Sequence, residues 1–132
     1  MLKGFAGEGI MAQIDRAYVG FAIALLIVGE LLGFYMGMQN DMKWRSVHII
    51  IVLLGFVTLA LFGALYRLWP AMKAGALATA QFWLTIIATA GIIVGSVLQV
   101  QNGSVVILAI SSAVMIIGTA VLGWLFWERA TA

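Results

Sequence analysis

Residues 77–127 read LATAQFWLTIIATAGIIVGSVLQV-QNG-SVVILAISSAVMIIGTAVLGWLFW: two apolar runs of 24 residues each, parted only by Gln101-Asn102-Gly103. A helix needs about 20 apolar residues to cross a bilayer, so each run spans once and the three-residue break is a turn. Two more runs of that kind precede it, from about Ala17 to Met38 and from about Val47 to Trp69. With the pair at about Leu77–Val100 and Ser104–Trp127, the chain reads as a single transmembrane domain over residues 1–132. The expected fold is all-α, an up-down-up-down four-helix membrane bundle, because connections this short force neighbouring helices to run antiparallel.

Composition excludes a water-soluble alternative. Hydrophobic residues make up 64% of 132 positions and charged residues only 9%, with a mean hydropathy of +1.14. A domain of that size could not hide so much apolar surface from water. The run ends carry the polar groups: Asp15-Arg16 before the first, Gln39-Asn40-Asp41 after it, Arg67 and Pro70 closing the second, Glu128-Arg129 ending the fourth. The one proline falls in a loop, so no span is expected to kink at one. Trp44, Trp69, Trp83, Trp124 and Trp127 lie mostly near span ends, as an interfacial aromatic belt requires.

Orientation follows from the basic residues flanking the spans. Lys3, Arg16, Arg67, Lys73 and Arg129 fall on the side of the termini, and Lys43 and Arg45 on the other. That bias predicts both termini in the cytoplasm, in a bacterial inner membrane. It also accounts for the basic balance without a nucleic-acid surface. The first span is too long, and lacks the small-residue cleavage site, for a removed signal peptide. Residues 1–12, with Gly4, Gly7 and Gly9, read as a short lead-in. Cysteine is absent, which excludes disulfides and thiolate ligation of iron.

Few polar groups remain inside the spans, and polar groups at that depth usually have a task. Gly29, Gly33 and Gly37, and Gly91 and Gly95, repeat every four residues and predict close helix packing, within the chain or in an oligomer. Glu30 sits near the middle of the first span beside that ridge, where a carboxylate is costly unless protonated, paired or wet. It is expected to face protein, as a proton relay, a partner for a bound group, or a bond to a carbonyl. Gln81, Thr85 and Thr89 share one face of the third span and could form a polar pocket with Glu30, or bond their own backbone.

His48, the single histidine, opens the second span, with Met36, Met38 and Met42 just before it. Thioethers with one imidazole suit Cu(I). They suit His/Met ligation of haem iron equally well, and isolated methionines also serve as packing filler.

The stretch from Val47 to Leu84, VHIIIVLLGFVTLALFGALYRLWPAMKAGALATAQFWL, resembles helices II and III of the catalytic subunit of haem-copper oxidases. It is more similar still to small four-helix membrane proteins described as cytochrome c oxidase-like. His48, Leu59, Phe62-Gly63, Tyr66-Arg67-Leu68 and Pro70 match their motif. Ile51 replaces a leucine, and Gly55 stands two residues beyond its motif place. Leu32-Gly33-Phe34-Tyr35-Met36-Gly37 resembles the end of their first helix. The resemblance covers about half of the chain. It implies haem b ligated by His48 near the non-cytoplasmic side, with Tyr66 and Arg67 in the cofactor's surroundings; the oxidases' second histidine has no counterpart here, and Met36 or Met38 would take the sixth position. The sixth position could instead be empty, or filled by His48 of a second protomer.

Small-ligand binding, electron transfer or haem-assisted chemistry would follow. The copper and active-site haem ligands of the oxidases are missing, so oxygen reduction by this chain alone is excluded. The small relatives often carry further histidines near Phe82-Trp83-Leu84, where Gln81 and Thr85 stand here. That departure leaves open a cofactor-free oxidase-like subunit or assembly factor, working in a homo-oligomer or a larger membrane complex.

Overall fold

The computed structural model describes residues 13–130, and Lys3 and the glycines of the lead-in lie outside the described residues. Four helices cross the molecule: α1 Ile14–Gln39, α2 Arg45–Leu68, α3 Ala76–Asn102 and α4 Val106–Arg129. All four are long and apolar enough to span a membrane, and the described residues contain no strand. The chain is an all-α four-helix membrane bundle. Such a structure satisfies every span's backbone within its own helix, as hydrocarbon demands.

The helices differ from the expected spans by at most three residues at any end, and the turn chemistry explains most of the shifts. Trp69 leaves the helix at φ −125°, ψ 77°, because the ring of Pro70 disfavours helical backbone in the residue before it. Val106 starts α4 two residues late because Ser104 N–H donates to Asn102 Oδ1 (3.0 Å) across Gly103, which takes φ 77°. Asn40 caps α1 in the left-handed conformation, its N–H and that of Asp41 closing on the carbonyls of Gly37 and Met36. That pairing satisfies helix-end carbonyls otherwise left open.

α2 is not uniform. Between Ile51 and Thr58 it widens into a π-helix, and Thr58 Oγ1 donates to the carbonyl of Leu53 five residues back. The wider turn alters the register between the His48 end of the helix and its Tyr66 end.

α1 packs along α2 and α3 along α4, and glycines set both contacts. A β-carbon on Gly29 would come 2.9 Å from Val52 Cγ2, and one on Gly55 would come 2.9 Å from Leu25 Cδ1. On the other hairpin, a β-carbon on Gly95 would lie 2.5 Å from the backbone nitrogen of Leu108. Bare backbone is therefore what lets these pairs approach, where van der Waals packing replaces the hydrophobic drive. Gly29, Gly33, Gly91 and Gly95 thus serve intramolecular packing, whereas a β-carbon on Gly37 would meet nothing within 4 Å among the described residues beyond its own stretch of helix.

The two hairpins join at the end that carries Ile14 and Arg129, termed here the terminus end. Tyr18 stacks on Tyr66 (5.8 Å between ring centroids) and meets Phe62 and Phe82 edge-on at 5.9 and 5.0 Å. Around them Ile14, Leu59, Met72, Leu122 and Leu125 complete the main core. Ala88, Ile92 and Met115 form a smaller one nearer the opposite end.

Candidate functional sites at the two ends of the bundle

His48 lies one turn into α2, at the far end from the termini. Its Nδ1 sits 3.0 Å from the carbonyl oxygen of Gly29 on α1. A carbonyl only accepts, so Nδ1 carries the proton and donates, which leaves Nε2 of the neutral ring with its lone pair. Nε2 has no hydrogen-bond partner among the described residues. The ring rests on Gly33, where a β-carbon would come 2.9 Å from Cε1. Two glycines one turn apart thus supply the acceptor and the floor for one imidazole.

Beside the ring is an open cavity of about 330 Å³, lined by Gly37, Met36, Met42, Arg45, Ile49 and His48. Met36 is 5% exposed and reaches it. Met38 is 69% exposed and outside the lining, so the two methionines proposed as ligands point different ways. The donors this lining brings together are one imidazole, the thioethers of Met36 and Met42, and the positive charge of Arg45. Among the described residues no cluster of three or more His, Cys, Asp or Glu side chains exists to hold a metal.

Tyr66 and Arg67 do not belong to this site, which corrects the expectation that they surround the same cofactor. They follow His48 by 18 and 19 residues on one helix, roughly 27 Å away at 1.5 Å per residue. Both are engaged at the terminus end instead.

There Gln81 is the hub. Tyr18 and Tyr66 both donate to its Oε1, at 2.6 and 2.9 Å. Its Nε2 donates to Thr85 Oγ1 at 2.9 Å and to the Gly118 carbonyl at 3.2 Å. Two bonds in and two out use the full capacity of a carboxamide, and together they tie all four helices. Just outside this network, Asp15 accepts from Arg67 (3.1 Å) and from Lys73 (2.9 Å). Arg129 donates to the Ala74 carbonyl.

The polar pocket expected of Glu30, Gln81, Thr85 and Thr89 is only half formed, a second correction. Gln81 and Thr85 are bonded together. Thr89 is buried one turn further on, but its hydroxyl has no partner among the described residues. Glu30 is on the outside of α1. One residue step turns roughly 100° about a helix axis, so while Gly29 faces α2, Glu30 faces outward with Ile27 and Phe34, which are 52% and 70% exposed.

Tyr18 and Asp15 were missed in the sequence. The available signal was their i, i+3 spacing at the start of the first span, which puts both on one helix face.

Comparison with family models, curated proteins and solved structures finds no match to the chain.

Proposed function

We propose that the chain is a small integral membrane protein that binds haem b through Nε2 of His48. One observation carries the reading: Nδ1 of the only histidine is committed to the Gly29 carbonyl. That bond orients the ring and fixes its tautomer, as partners of ligating histidines do. Arg45 would offer its charge to a propionate, and Met36 a thioether. When bound, the haem supplies reversible one-electron chemistry or an iron centre for small ligands. The protein's share is to hold that group against apolar walls and limit water's access.

The test is spectroscopic. Protein purified in mild detergent and supplied with haem should show a Soret band, and His48→Ala should lose it because no other imidazole exists. Protein that stays colourless, or an Ala variant with unchanged absorbance, overturns the reading.

A second reading has its own observation. The Gln81 amide, the polar centre of the bundle, is fully consumed in joining the four helices. A bundle whose buried polar side chain is spent on holding helices together suits a cofactor-free subunit or assembly factor. A colourless protein that copurifies with a membrane oxidase would favour it.

Under either reading the basic residues orient both termini toward the cytoplasm, and the chain self-associates through α1. Gly20, Ile23, Ile27, Glu30, Phe34 and Gly37 follow one another at alternating three- and four-residue steps on its outward face, the spacing of a helix–helix seam. Among the described residues, nothing beyond their own stretch of helix comes within 4 Å of a β-carbon on Gly20 or Gly37. A carboxylate facing hydrocarbon alone is costly, and two copies meeting here would enclose both Glu30 side chains between them.

A further inference from the structure

A cleft of about 230 Å³ opens between the two hairpins near mid-membrane, walled by Phe21, Leu25, Leu59, Ile86 and Ile93. It exists because the aromatic and hydrogen-bonded contacts between α1 and α3 gather at the terminus end, where Tyr18 meets Gln81 and Phe82. Beyond Phe21 the two helices are not bridged in this way, and Phe21 and Val28, about half exposed at the mouth, leave it open to lipid.

Thr89 also lines this cleft. It is 2% exposed, and its hydroxyl has no hydrogen-bond partner among the described residues. Ser96 and Ser112 show the usual escape, each donating to the carbonyl four residues back at 2.7 Å. Thr89 does not take it. A buried hydroxyl without a partner is unfavourable, and here the surroundings are otherwise apolar. Water is a poor occupant, since a buried water needs two to four polar partners and the cleft offers one. A phospholipid is poor too: its ester oxygens stay at the interface, whereas Thr89 lies 13 residues into α3, roughly 20 Å from its start.

We propose that this cleft is a binding site for a small apolar carbonyl compound that enters from the bilayer, its oxygen accepting a hydrogen bond from Thr89 Oγ1. The apolar walls supply contact area and the hydroxyl supplies orientation, the division of labour usual in small-molecule sites. The site is separate from His48 and stands whether or not haem binds.

Benzophenone tests it directly, being two apolar rings around one carbonyl and photoreactive toward neighbouring C–H bonds. Irradiated with the full chain in detergent or liposomes, it should label peptides covering residues 21–28 and 86–93. Thr89→Val, nearly the same shape without the hydroxyl, should need roughly three- to tenfold more probe for equal labelling. Thr89→Ser should label like the parent. An alkyl diazirine without oxygen should mark the parent and the Val variant equally. If the Val variant loses both probes, its cleft has closed and the Ser variant decides: retained benzophenone labelling supports the site and lost labelling overturns it. Equal benzophenone labelling of the parent and Thr89→Val, or labelling spread evenly over lipid-facing positions such as Leu61 and Ile116, also overturns it.

Discussion

The imidazole of His48 lies across Gly33 so closely that a β-carbon there would come 2.9 Å from Cε1. The same ring donates to Gly29 one turn earlier, so α1 presents a bare groove in which α2 seats its histidine. Position 33 therefore controls the ring, although it bears no functional group.

Gly33→Ala should shift the ring and weaken its bond to Gly29, and Gly33→Leu should separate the hairpin and lower the melting temperature in mild detergent. Nitrogen-15 shifts of the His48 ring report the first effect and thermal unfolding the second. A Leu variant as stable as the parent would mean that α1 and α2 do not pack as described.

Gln81→Leu should be the most damaging single change in the bundle's polar network. It strands two tyrosine hydroxyls and removes the tie to α4 through the Gly118 carbonyl, where Tyr66→Phe removes only one donor. Hydrogen bonds in membrane helices are worth roughly 0.6 kcal/mol on average and up to about 1.7. Tyr66→Phe should therefore cost well under half of what Gln81→Leu costs in a reversible unfolding assay. Equal costs would show that the amide is not shared as the distances indicate.

Glu30 sets up a prediction about assembly. Because the chain has no native cysteine, Ile27→Cys or Phe34→Cys in a membrane preparation should form covalent dimers on mild oxidation. Ile116→Cys, exposed on α4, should not. Glu30→Lys should reduce the α1 crosslinks, since a carboxyl can accept or donate a hydrogen bond across the seam whereas an ammonium only donates. Dimers through Ile116 alone would place the interface elsewhere.

Topology is open to a labelling test. Asn102→Cys should react with an impermeant maleimide from the non-cytoplasmic side, and Ala74→Cys only after the membrane is opened. The reverse pattern would refute the orientation drawn from the basic residues.

Four spans, their short turns and their antiparallel order were legible in the chain, because the bilayer makes length and apolarity nearly sufficient evidence. A motif spaced along Val47–Leu84 groups its residues by sequence and not by place. His48 and Tyr66 are neighbours in a pattern and stand at opposite ends of α2.

What sequence alone determined is the solvent: a chain this apolar must put its backbone in helices and its charges at their ends. What only tertiary structure decided is which way each polar group turns. Glu30 and Gly29 are adjacent in the chain, and a 100° step puts one against α2 and the other outside. Gln81, Thr85 and Thr89 share a helix face, yet only the first two join the hydrogen-bond network of Tyr18 and Tyr66, because α1 and α3 are bridged at one end only. In hydrocarbon, apolar side chains lie equally well on an inner or an outer face. Facing is therefore set by glycine contacts and a few hydrogen bonds between helices, and these exist only once the helices are placed.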